Sequence, residues 1–479
     1  MKILFAASEA VPFAASGGLA DVTGSLPKAL AAKGHDCRVV IPLYSSIRPE
    51  LRAKMEFIKN ITVDVSWRKQ YCGIFKAVLN GITYYFIDNE YYYSREGMYG
   101  FYDDCERFVF FDRAVLEMLK YVGFTPEIIH CNDWQTALIP VYYSVYYKYQ
   151  QGYDGIKNVF TIHNIEYQGK YGKEVLSELM SIPMYNAGLL DYDGYVNMLK
   201  GAIETADKIT TVSPSYAWEI LDPWYAHGLD RILVTKQYKL RGILNGIDTE
   251  LYDPSKDPEI TKNFSARNVS GKAECKRTLL EELNLDPGNE PVIGIVTRFV
   301  RHKGIDLIRC VFEEMIQMGF KFAVLGSGEK IYEDFFSEMA ARYPGKVSVS
   351  LGFIPELSHR IYAGSDMFLM PSLSEPCGLA QMISMRYGTI PIVRETGGLR
   401  DTVRDNGGID GNGFTFKTIN ANDMLDAVKR AFRDYNDKKV WDALVKRAMK
   451  CDFSWSASAD DYIDLYEELL QDDLLEADA

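Results

Sequence analysis

The sequence lacks an excess of basic residues. It contains 53 lysines and arginines against 66 aspartates and glutamates, which gives a formal net charge of −13. A protein that binds a nucleic-acid backbone needs a basic face, so this balance argues against a nucleic-acid partner. It does not exclude a nucleotide ligand, because a few local cations can bind phosphate on an acidic protein.

Long apolar runs are also absent. No stretch of about 18 or more apolar residues, the length that a transmembrane helix needs, occurs in the chain. The first ten residues, MKILFAASEA, enter a strand pattern without the apolar core and cleavage site of a secretory signal. The 8 cysteines include no C-x-x-C pair, which favours reduced thiols over disulfides or structural zinc. We therefore expect a cytoplasmic protein with no membrane partner.

Several signatures of catalysis and cofactor binding are missing. The dinucleotide fingerprint G-x-G-x-x-G, the phosphate loop G-x-x-x-x-G-K-[ST] and the metalloprotease motif H-E-x-x-H do not occur. The pair Asp191-Tyr192-Asp193 has the D-x-D form that can hold a divalent metal, but no strand pattern precedes it. We interpret it as a loop, and we predict no metal site and no bound cofactor.

What is present is an alternation of short apolar strand patterns with helical patterns in both halves of a chain too long for one core. This predicts an α/β fold with two Rossmann-like, doubly wound domains that face a central cleft. A turn at Asn245-Gly246 predicts a boundary between domains at 1–246 and 247–456. Acidic residues mixed with apolar residues at helical spacing predict a last helix at 457–479, which caps the surface or crosses back to the first domain. The predicted strands are 2–7, 37–42, 61–66, 73–79, 82–87, 128–130, 158–162, 208–212, 292–296, 322–325, 347–351, 367–370 and 389–393.

A glycine turn occurs twice, once in each predicted domain. Residues 16–21 read Ser-Gly-Gly-Leu-Ala-Asp, and residues 396–401 read Thr-Gly-Gly-Leu-Arg-Asp. A strand, a glycine turn and a helix in succession direct free backbone N–H groups at an anion. Our hypothesis is that both turns face one phosphate-bearing ligand.

Charged residues follow the predicted strands of the second domain. Arg298 and Lys303 lie in a loop that opens a helix, where two fixed cations suit a diphosphate and would stabilise it as a leaving group. Glu375 could accept hydrogen bonds from sugar hydroxyls or balance an oxocarbenium-like centre. Each has a plainer alternative: a solvated basic loop for the cations, and an acid favoured at a helix start for Glu375. His163, at another strand end, could equally be a structural histidine.

These residues resemble the bacterial glycogen synthase and plant starch synthase family, and the resemblance runs nearly end to end. It implies a GT-B type fold and retaining transfer of glucose from ADP-glucose to the non-reducing-end 4-hydroxyl of an α-1,4-glucan such as glycogen or starch. No metal is implied. The segments that carry it are 16–22, Tyr93 with its neighbours, 131–138, 161–169, 243–248, 297–304, 371–381 and 394–403.

The resemblance also implies roles for single residues. Arg298 and Lys303 would neutralise the pyrophosphate, Glu375 would lie near the transferred glucose, and His163 would contact its 6-hydroxyl; these four form the catalytic set. An acceptor-binding set comprises Asp21, Tyr93 and Asp133. The donor-binding set comprises Ser16, Gly17, Gly18, Asn164, Asn245, Phe353, Cys377, Gly378, Leu379, Thr396 and Gly397.

One position departs from the family pattern. The family usually has lysine two residues before the first glycine, as in K-T-G-G-L, and this chain has Ala15 there. One charge-assisted hydrogen bond is worth about 1.5–3 kcal/mol, so its loss would slow the reaction unless another cation substitutes. Two alternatives therefore stay open: a catalytically weakened glucan-binding homologue, and a glucosyltransferase that uses another donor such as UDP-glucose.

Overall fold

The computed structural model describes residues 1–477, with side chains described as far as Gln471. The chain divides into two units. The first contains residues 1–212, 217–243 and 455 onward, and the second contains residues 213–216 and 244–454. The boundary predicted near Gly246 stands next to the division after Ile243. The last two residues of the predicted tail, 478 and 479, lie outside the described residues.

The first unit is built on a nine-stranded sheet with the order β12-β11-β7-β6-β1-β2-β5-β4-β3. Pairing is parallel from β12 to β5, and β4 and β3 extend the sheet by antiparallel pairing. The central strands read as continuous apolar runs because helices cover both of their faces. The strands of this sheet are β1 (Lys2–Ala6), β2 (Asp36–Pro42), β3 (Glu56–Val65), β4 (Arg68–Leu79), β5 (Ile82–Asp88), β6 (Ile128–Asn132), β7 (Lys157–Ile162), β11 (Lys208–Thr211) and β12 (Leu240–Gly242).

A small three-stranded sheet corrects the interpretation of the D-x-D pair. It consists of β8 (Lys170–Tyr171), β9 (Asp191–Tyr192) and β10 (Tyr195–Asn197), with β10 in the middle. Asp193 at φ 50° and Gly194 at φ 86° form the turn between β9 and β10. Asp-Gly is the preferred pair for such two-residue hairpins, which need positive φ at both positions. The segment is a hairpin rather than a loop, and Asp191 pairs with Lys173 at 2.7 Å.

Helices flank the sheet of the first unit, and the glycine turn at 16–18 leads into the first of them. The α-helices before Ile243 are α1 (Gly18–Ala32), α2 (Pro49–Arg52), α3 (Glu90–Tyr93), α4 (Asp104–Met118), α5 (Leu138–Tyr142), α6 (Met198–Thr205), α7 (Pro214–Glu219) and α8 (Asp230–Thr235). α7 begins in residues 213–216, which belong to the second unit.

The second unit has a six-stranded, fully parallel sheet with the order β15-β14-β13-β16-β17-β18. The predicted strands at 292–296, 347–351 and 367–370 are confirmed at these bounds, and the edge strand β18 was not predicted. The strands are β13 (Val292–Val296), β14 (Lys321–Gly326), β15 (Val347–Leu351), β16 (Met367–Met370), β17 (Ile390–Arg394) and β18 (Phe414–Phe416). The helices are α9 (Gly271–Glu282), α10 (Ile305–Gln317), α11 (Lys330–Arg342), α12 (Pro355–Gly364), α13 (Ala380–Arg386), α14 (Gly397–Thr402), α15 (Ala421–Tyr435) and α16 (Lys438–Met449).

The last helix, α17 (Trp455–Ala477), belongs to the first unit. The buried hydroxyl of Tyr466 lies 2.6 Å from Nδ1 of His130 on β6, and Asp460 pairs with Lys33 after α1 at 2.8 Å. The chain therefore completes the first unit after it has built the second. Among the helices of the described residues, none combines the length and apolar character needed to cross a membrane.

Candidate active site

In the second unit, most of the predicted site residues lie on loops that leave three adjacent strands. β13, β16 and β17 are neighbours and run parallel, so the loops at their carboxyl ends share one edge of the sheet. The loop after β13 carries Arg298 and Lys303, the loop after β16 carries Glu375, and the loop after β17 carries Thr396 and Gly397.

Lys303, which is half-buried, and the buried Glu375 form an ion pair at this edge. The Lys303 ammonium donates to both carboxylate oxygens, at 2.8 and 2.6 Å, and the hydroxyl of Ser372 donates to the same carboxylate at 2.9 Å. Glu375 is only 6% exposed. Burial by itself would raise the pKa of Glu375, but the charge and hydrogen bonds of Lys303, together with Ser372 and His302, lower it overall. The site therefore holds an ionised carboxylate against a cation that still has a third N–H to donate.

Close backbone packing brings these two loops together. Gly304 has φ 73°, and a Cβ added there would collide with the carbonyl oxygen of Pro371. The N–H of Leu373 donates to the carbonyl of His302 at 2.7 Å. Only glycine fits the left-handed conformation and the close approach at this position, which places Lys303 beside Glu375.

The glycine turn of the second unit has a packing role in this structure. Gly397 has φ 43°, and a Cβ on it would meet the carbonyl oxygen of Glu375; a Cβ on Gly398 would meet that of Cys377. The N–H of Thr396 already donates to Arg394 at 3.0 Å, and Thr396 and Gly397 are buried. In this structure the turn supports the Glu375 loop, and the contact of Thr396 and Gly397 with a phosphate stays a prediction.

Three further predicted residues, Cys377, Gly378 and Leu379, continue that loop, and a fourth, Asn245, contacts it. Burial raises the pKa of the Cys377 thiol to about 12, although the backbone N–H of Asn245 opposes the shift, so Cys377 stays a neutral thiol. Asn245 is buried, and its side-chain oxygen has no hydrogen-bond partner among the described residues. Gly378, at φ 71°, and Leu379 are half-buried before α13. The arrangement leaves the amide of Asn245 near Cys377, and α13 begins directly after the Glu375 loop.

Two predicted ligand contacts in the second unit are exposed. The side chain of Arg298 is exposed and follows β13. Phe353 follows β15 and is 91% exposed. A charged guanidinium and an aromatic face are therefore open to a ligand at this edge, as a diphosphate and a purine require.

In the first unit, the predicted residues again follow adjacent parallel strands. β1, β6 and β7 are neighbours, and their carboxyl ends lead to the glycine turn at 16–18, to Asp133 and to His163-Asn164 respectively. Gly17 and Gly18 are exposed, and a Cβ on either would meet nothing within 4 Å. The space beside Gly17 and Gly18 is therefore open, whereas backbone atoms of the Glu375 loop occupy the space beside Gly397 and Gly398.

Asp133 organises the loop that carries His163. Its backbone has φ 57°, a conformation that non-glycine residues adopt rarely. Its carboxylate accepts the N–H of His163 at 2.8 Å and that of Asn164. Burial raises the pKa of Asp133 to about 7, partly offset by these two hydrogen bonds. Burial also lowers the pKa of His163 to about 3, so its imidazole is neutral at neutral pH.

Glu9 is a site residue that the sequence analysis missed. It is 4% exposed, and its carboxylate accepts hydrogen bonds from the backbone N–H of Ser16 and from the Ser16 hydroxyl. Burial raises the pKa of Glu9, and the hydrogen bonds from Ser16 oppose the shift. Its backbone carbonyl also accepts from Thr23 at 2.6 Å. Glu9 thus holds the open glycine turn, and no spacing or motif in the sequence singles it out.

The predicted acceptor residues are placed differently from one another. Asp21 is exposed in the first turn of α1, and Ala15 is exposed before the glycine turn. Tyr93 is completely buried, and its hydroxyl donates to the carbonyl of Arg107 at 3.0 Å. In this structure Tyr93 has no exposed surface through which it could contact an acceptor, because its ring packs in the core.

Comparison with known proteins assigns the chain to a family. Residues 2–235 match the family model described as the starch synthase catalytic domain, and residues 277–447 match the one described as glycosyl transferases group 1. The chain is 50% identical to the glycogen synthase of Clostridium botulinum (strain Alaska E43 / Type E3), across 98% of this chain and 99% of that one. The chain belongs to the glycogen synthase and starch synthase family. It is also 48% identical to the glycogen synthase of Geobacillus thermodenitrificans, with 98% of each chain covered.

Solved structures agree with this assignment. The fold is similar to the catalytic domain of starch synthase IV from Arabidopsis thaliana bound to ADP and acarbose, with a TM-score of 0.90 and 35% identity over 98% of this chain and 99% of that one. It also shares its fold with sucrose-phosphate synthase from Thermosynechococcus elongatus, at a TM-score of 0.61 and 20% identity over 98% and 99%. This family member is a glycosyltransferase, and the predicted α/β fold class of GT-B type is confirmed.

Proposed function

We propose that this family member transfers glucose from ADP-glucose to the non-reducing-end 4-hydroxyl of an α-1,4-glucan, with retention at the anomeric carbon. The observation that carries the proposal is the ion pair of Lys303 with the buried Glu375, at the edge that also exposes Arg298 and Phe353. A cation pair, an ionised carboxylate and an open aromatic face together match the charges and shape of a nucleotide diphosphate sugar.

The proposed chemistry needs no protein nucleophile. Arg298 and the third N–H of Lys303 would neutralise the diphosphate as the bond between it and the sugar C1 breaks, which is electrostatic stabilisation of a leaving group. The incoming 4-hydroxyl would attack C1 on the same face, and its proton would pass to the departing phosphate oxygen. Both oxygens of Glu375 are engaged by Lys303 or Ser372, so the carboxylate suits stabilisation of the oxocarbenium-like centre better than attack on it.

Residues of the first unit would hold the rest of the substrates. We assign the 6-hydroxyl of the transferred glucose to the neutral imidazole of His163, and the acceptor to Asp133 and Asp21. Gly17 and Gly18 would approach the phosphates through their backbone N–H groups, since their turn is open, and Ser16 stays bonded to Glu9 beside them. A reaction without metal or cofactor, and a cytoplasmic location, remain predictions from the sequence.

The test is incubation of the purified protein with ADP-glucose and maltooligosaccharides, with measurement of ADP release and chain elongation. Elongation by single glucose units, coupled to ADP release, is the expected result. UDP-glucose in a parallel reaction tests the donor, and faster turnover with it would overturn the assignment of ADP-glucose. A donor hydrolysed without elongation would overturn the glucan as acceptor.

Ala15 favours a second candidate function, a glucan-binding homologue with weakened catalysis. The residue is exposed beside the open glycine turn, where the family pattern supplies a cation. In the same experiment, this candidate predicts retention of the protein on glucan without turnover of either donor.

A further inference from the structure

Asn132, the last residue of β6, has an amide whose orientation is determined by its surroundings. The side chain is 1% exposed. Its Nδ2 donates to the carbonyl oxygens of Ala6 at 3.1 Å and of His130 at 3.2 Å. Carbonyl oxygens only accept hydrogen bonds, so the nitrogen must face these two groups and Oδ1 must face the opposite way.

The amide oxygen faces the imidazole of His163. Oδ1 of Asn132 lies 2.9 Å from Nε2 of His163. An amide oxygen accepts only, so Nε2 must carry a hydrogen. Burial lowers the pKa of His163 to about 3, and the neutral ring at neutral pH has one N–H. That hydrogen is therefore on Nε2, and Nδ1 carries a lone pair.

We infer that Asn132 is a positioning residue that holds His163 in its Nε2–H tautomer, so that the site selects a sugar whose 6-position donates a hydrogen bond to Nδ1. The inference rests on the proposed function, in which His163 contacts the transferred glucose. It adds that, in this contact, the 6-hydroxyl donates the hydrogen bond and Nδ1 of His163 accepts it. A donor sugar with a 6-hydroxyl satisfies Nδ1, whereas a pentose, a 6-deoxy sugar or a hexuronate, whose carboxylate only accepts, leaves it unpaired.

The neighbouring groups hold both partners in place. The backbone N–H of Asn132 donates to the hydroxyl of Thr136 at 2.6 Å, and the backbone N–H of His163 donates to Asp133 at 2.8 Å. The titratable groups in this part of the first unit are Asp133, with its pKa raised by burial, His130, with its pKa lowered by burial to about 3, and the carboxyl of Glu9. The amide itself does not titrate, so the tautomer that it imposes persists across the working pH range.

The tautomer can be observed directly in the intact wild-type chain. Nitrogen-15 labelling of the 6 histidines, with long-range proton–nitrogen correlation, distinguishes a protonated ring nitrogen from one with a lone pair. The His163 signals are assigned by their loss in His163→Gln. We expect a protonated Nε2 and an unprotonated Nδ1 from pH 6 to 8. A protonated Nδ1, in either the other tautomer or the imidazolium, would overturn the inference.

Donor analogues test the consequence for selectivity. The 6-deoxy and the 6-deoxy-6-fluoro derivatives of ADP-glucose both lack a hydrogen-bond donor at C6, and fluorine can still accept weakly. We expect kcat/KM to fall about 10- to 100-fold for both, and to similar extents, because a buried acceptor is left unpaired. Markedly better turnover of the fluoro derivative would show that Nδ1 donates. If ADP-glucose itself is not turned over, the proposed function fails, while the tautomer is still decided by the nitrogen-15 signals.

A pair of variants separates positioning from general support of the fold. In Asn132→Asp, a charged oxygen facing Nε2 favours the imidazolium and raises the pKa of His163. The neutral ring is then lost at higher pH, so the acidic limb of the kcat/KM profile should move upward. Thr136→Val removes a hydroxyl from the same turn and keeps the amide, so it should lower stability without moving that limb. Equal shifts in both variants, or no shift in Asn132→Asp, would contradict the inference; if Asn132→Asp does not fold, the wild-type spectrum decides.

Discussion

At the scale of single residues, Lys303 has the largest predicted effect on catalysis. Lys303→Ala would leave the buried Glu375 without its cation and remove one charge from the diphosphate. We expect turnover to fall at least ~100-fold, since the lost interaction acts on a developing charge. The pKa of Glu375 would rise, because Lys303 is what lowers it against burial. The carboxylate would then be protonated at higher pH. The acidic limb of the pH profile of kcat should therefore move to higher pH.

Arg301→Ala is the matched control for Lys303→Ala. Arg301 lies in the same short turn, Arg301–Lys303, and its side chain is exposed. Its turnover should stay within about twofold of wild type, as for most surface substitutions. A loss in Arg301→Ala as large as that in Lys303→Ala would mean that the loop is sensitive to any change and that the ion pair has no special part.

Ala15→Lys tests whether a missing cation limits the rate. The position is exposed and adjoins an open turn, so a lysine can be accommodated without displacing the core. If the diphosphate lacks one charge-assisted hydrogen bond, turnover of ADP-glucose should rise about tenfold or more. Ala15→Met, of similar length and without charge, should not reproduce the gain. An unchanged rate in Ala15→Lys would mean that another group already supplies the charge.

At the scale of elements, the two glycine turns should respond oppositely to the same change. In Gly398→Ala the new Cβ would collide with the backbone at Cys377, in the Glu375 loop. We expect a loss of about 1–3 kcal/mol in the free energy of unfolding, typical of overpacking. In Gly18→Ala the Cβ enters open space at the first residue of α1, so stability should be unchanged or rise by roughly 0.5–1 kcal/mol. Thermal or denaturant unfolding measures both.

The two substitutions control for each other, since they occupy matching positions of one repeated motif. Equal destabilisation would contradict the view that the first turn is open and the second is filled. The repeat itself was visible in the sequence, and a shared ligand was the natural hypothesis, but the packing of Gly397 and Gly398 against another loop was not visible.

At the scale of the whole molecule, the last helix of the chain, α17, belongs to the first unit. In Tyr466→Phe, Nδ1 of the buried His130 loses its partner on α17. A buried polar group left unpaired costs about 1–3 kcal/mol, and the cost should appear in the first unit. Hydrogen exchange should therefore accelerate in β6 and α17. Peptides from β13 and β16 of the second unit serve as the internal control, and equal acceleration there would contradict the assignment of α17.

The sequence by itself determined the alternation of strands and helices, the strands Val292–Val296, Val347–Leu351 and Met367–Met370, and the family. These features are local or are carried by ordered motifs: an apolar run between turn residues specifies a buried strand without reference to the rest of the chain. The strand-end position of Lys303, Glu375 and His163 was predictable for the same reason. Short elements whose patterns are weak, such as the hairpin at Asp191–Tyr192, were misread.

Only the tertiary structure decided how those strand ends combine. The order of the strands in each sheet places the loops of β13, β16 and β17 together, and those of β1, β6 and β7. From this follow the Lys303–Glu375 pair, the role of Glu9 in holding Ser16, and the bond from Asn132 to His163. These contacts join residues up to 72 positions apart. The physical reason is that hydrogen bonds and ion pairs depend on distances of about 3 Å, which strand order sets and residue spacing along the chain does not.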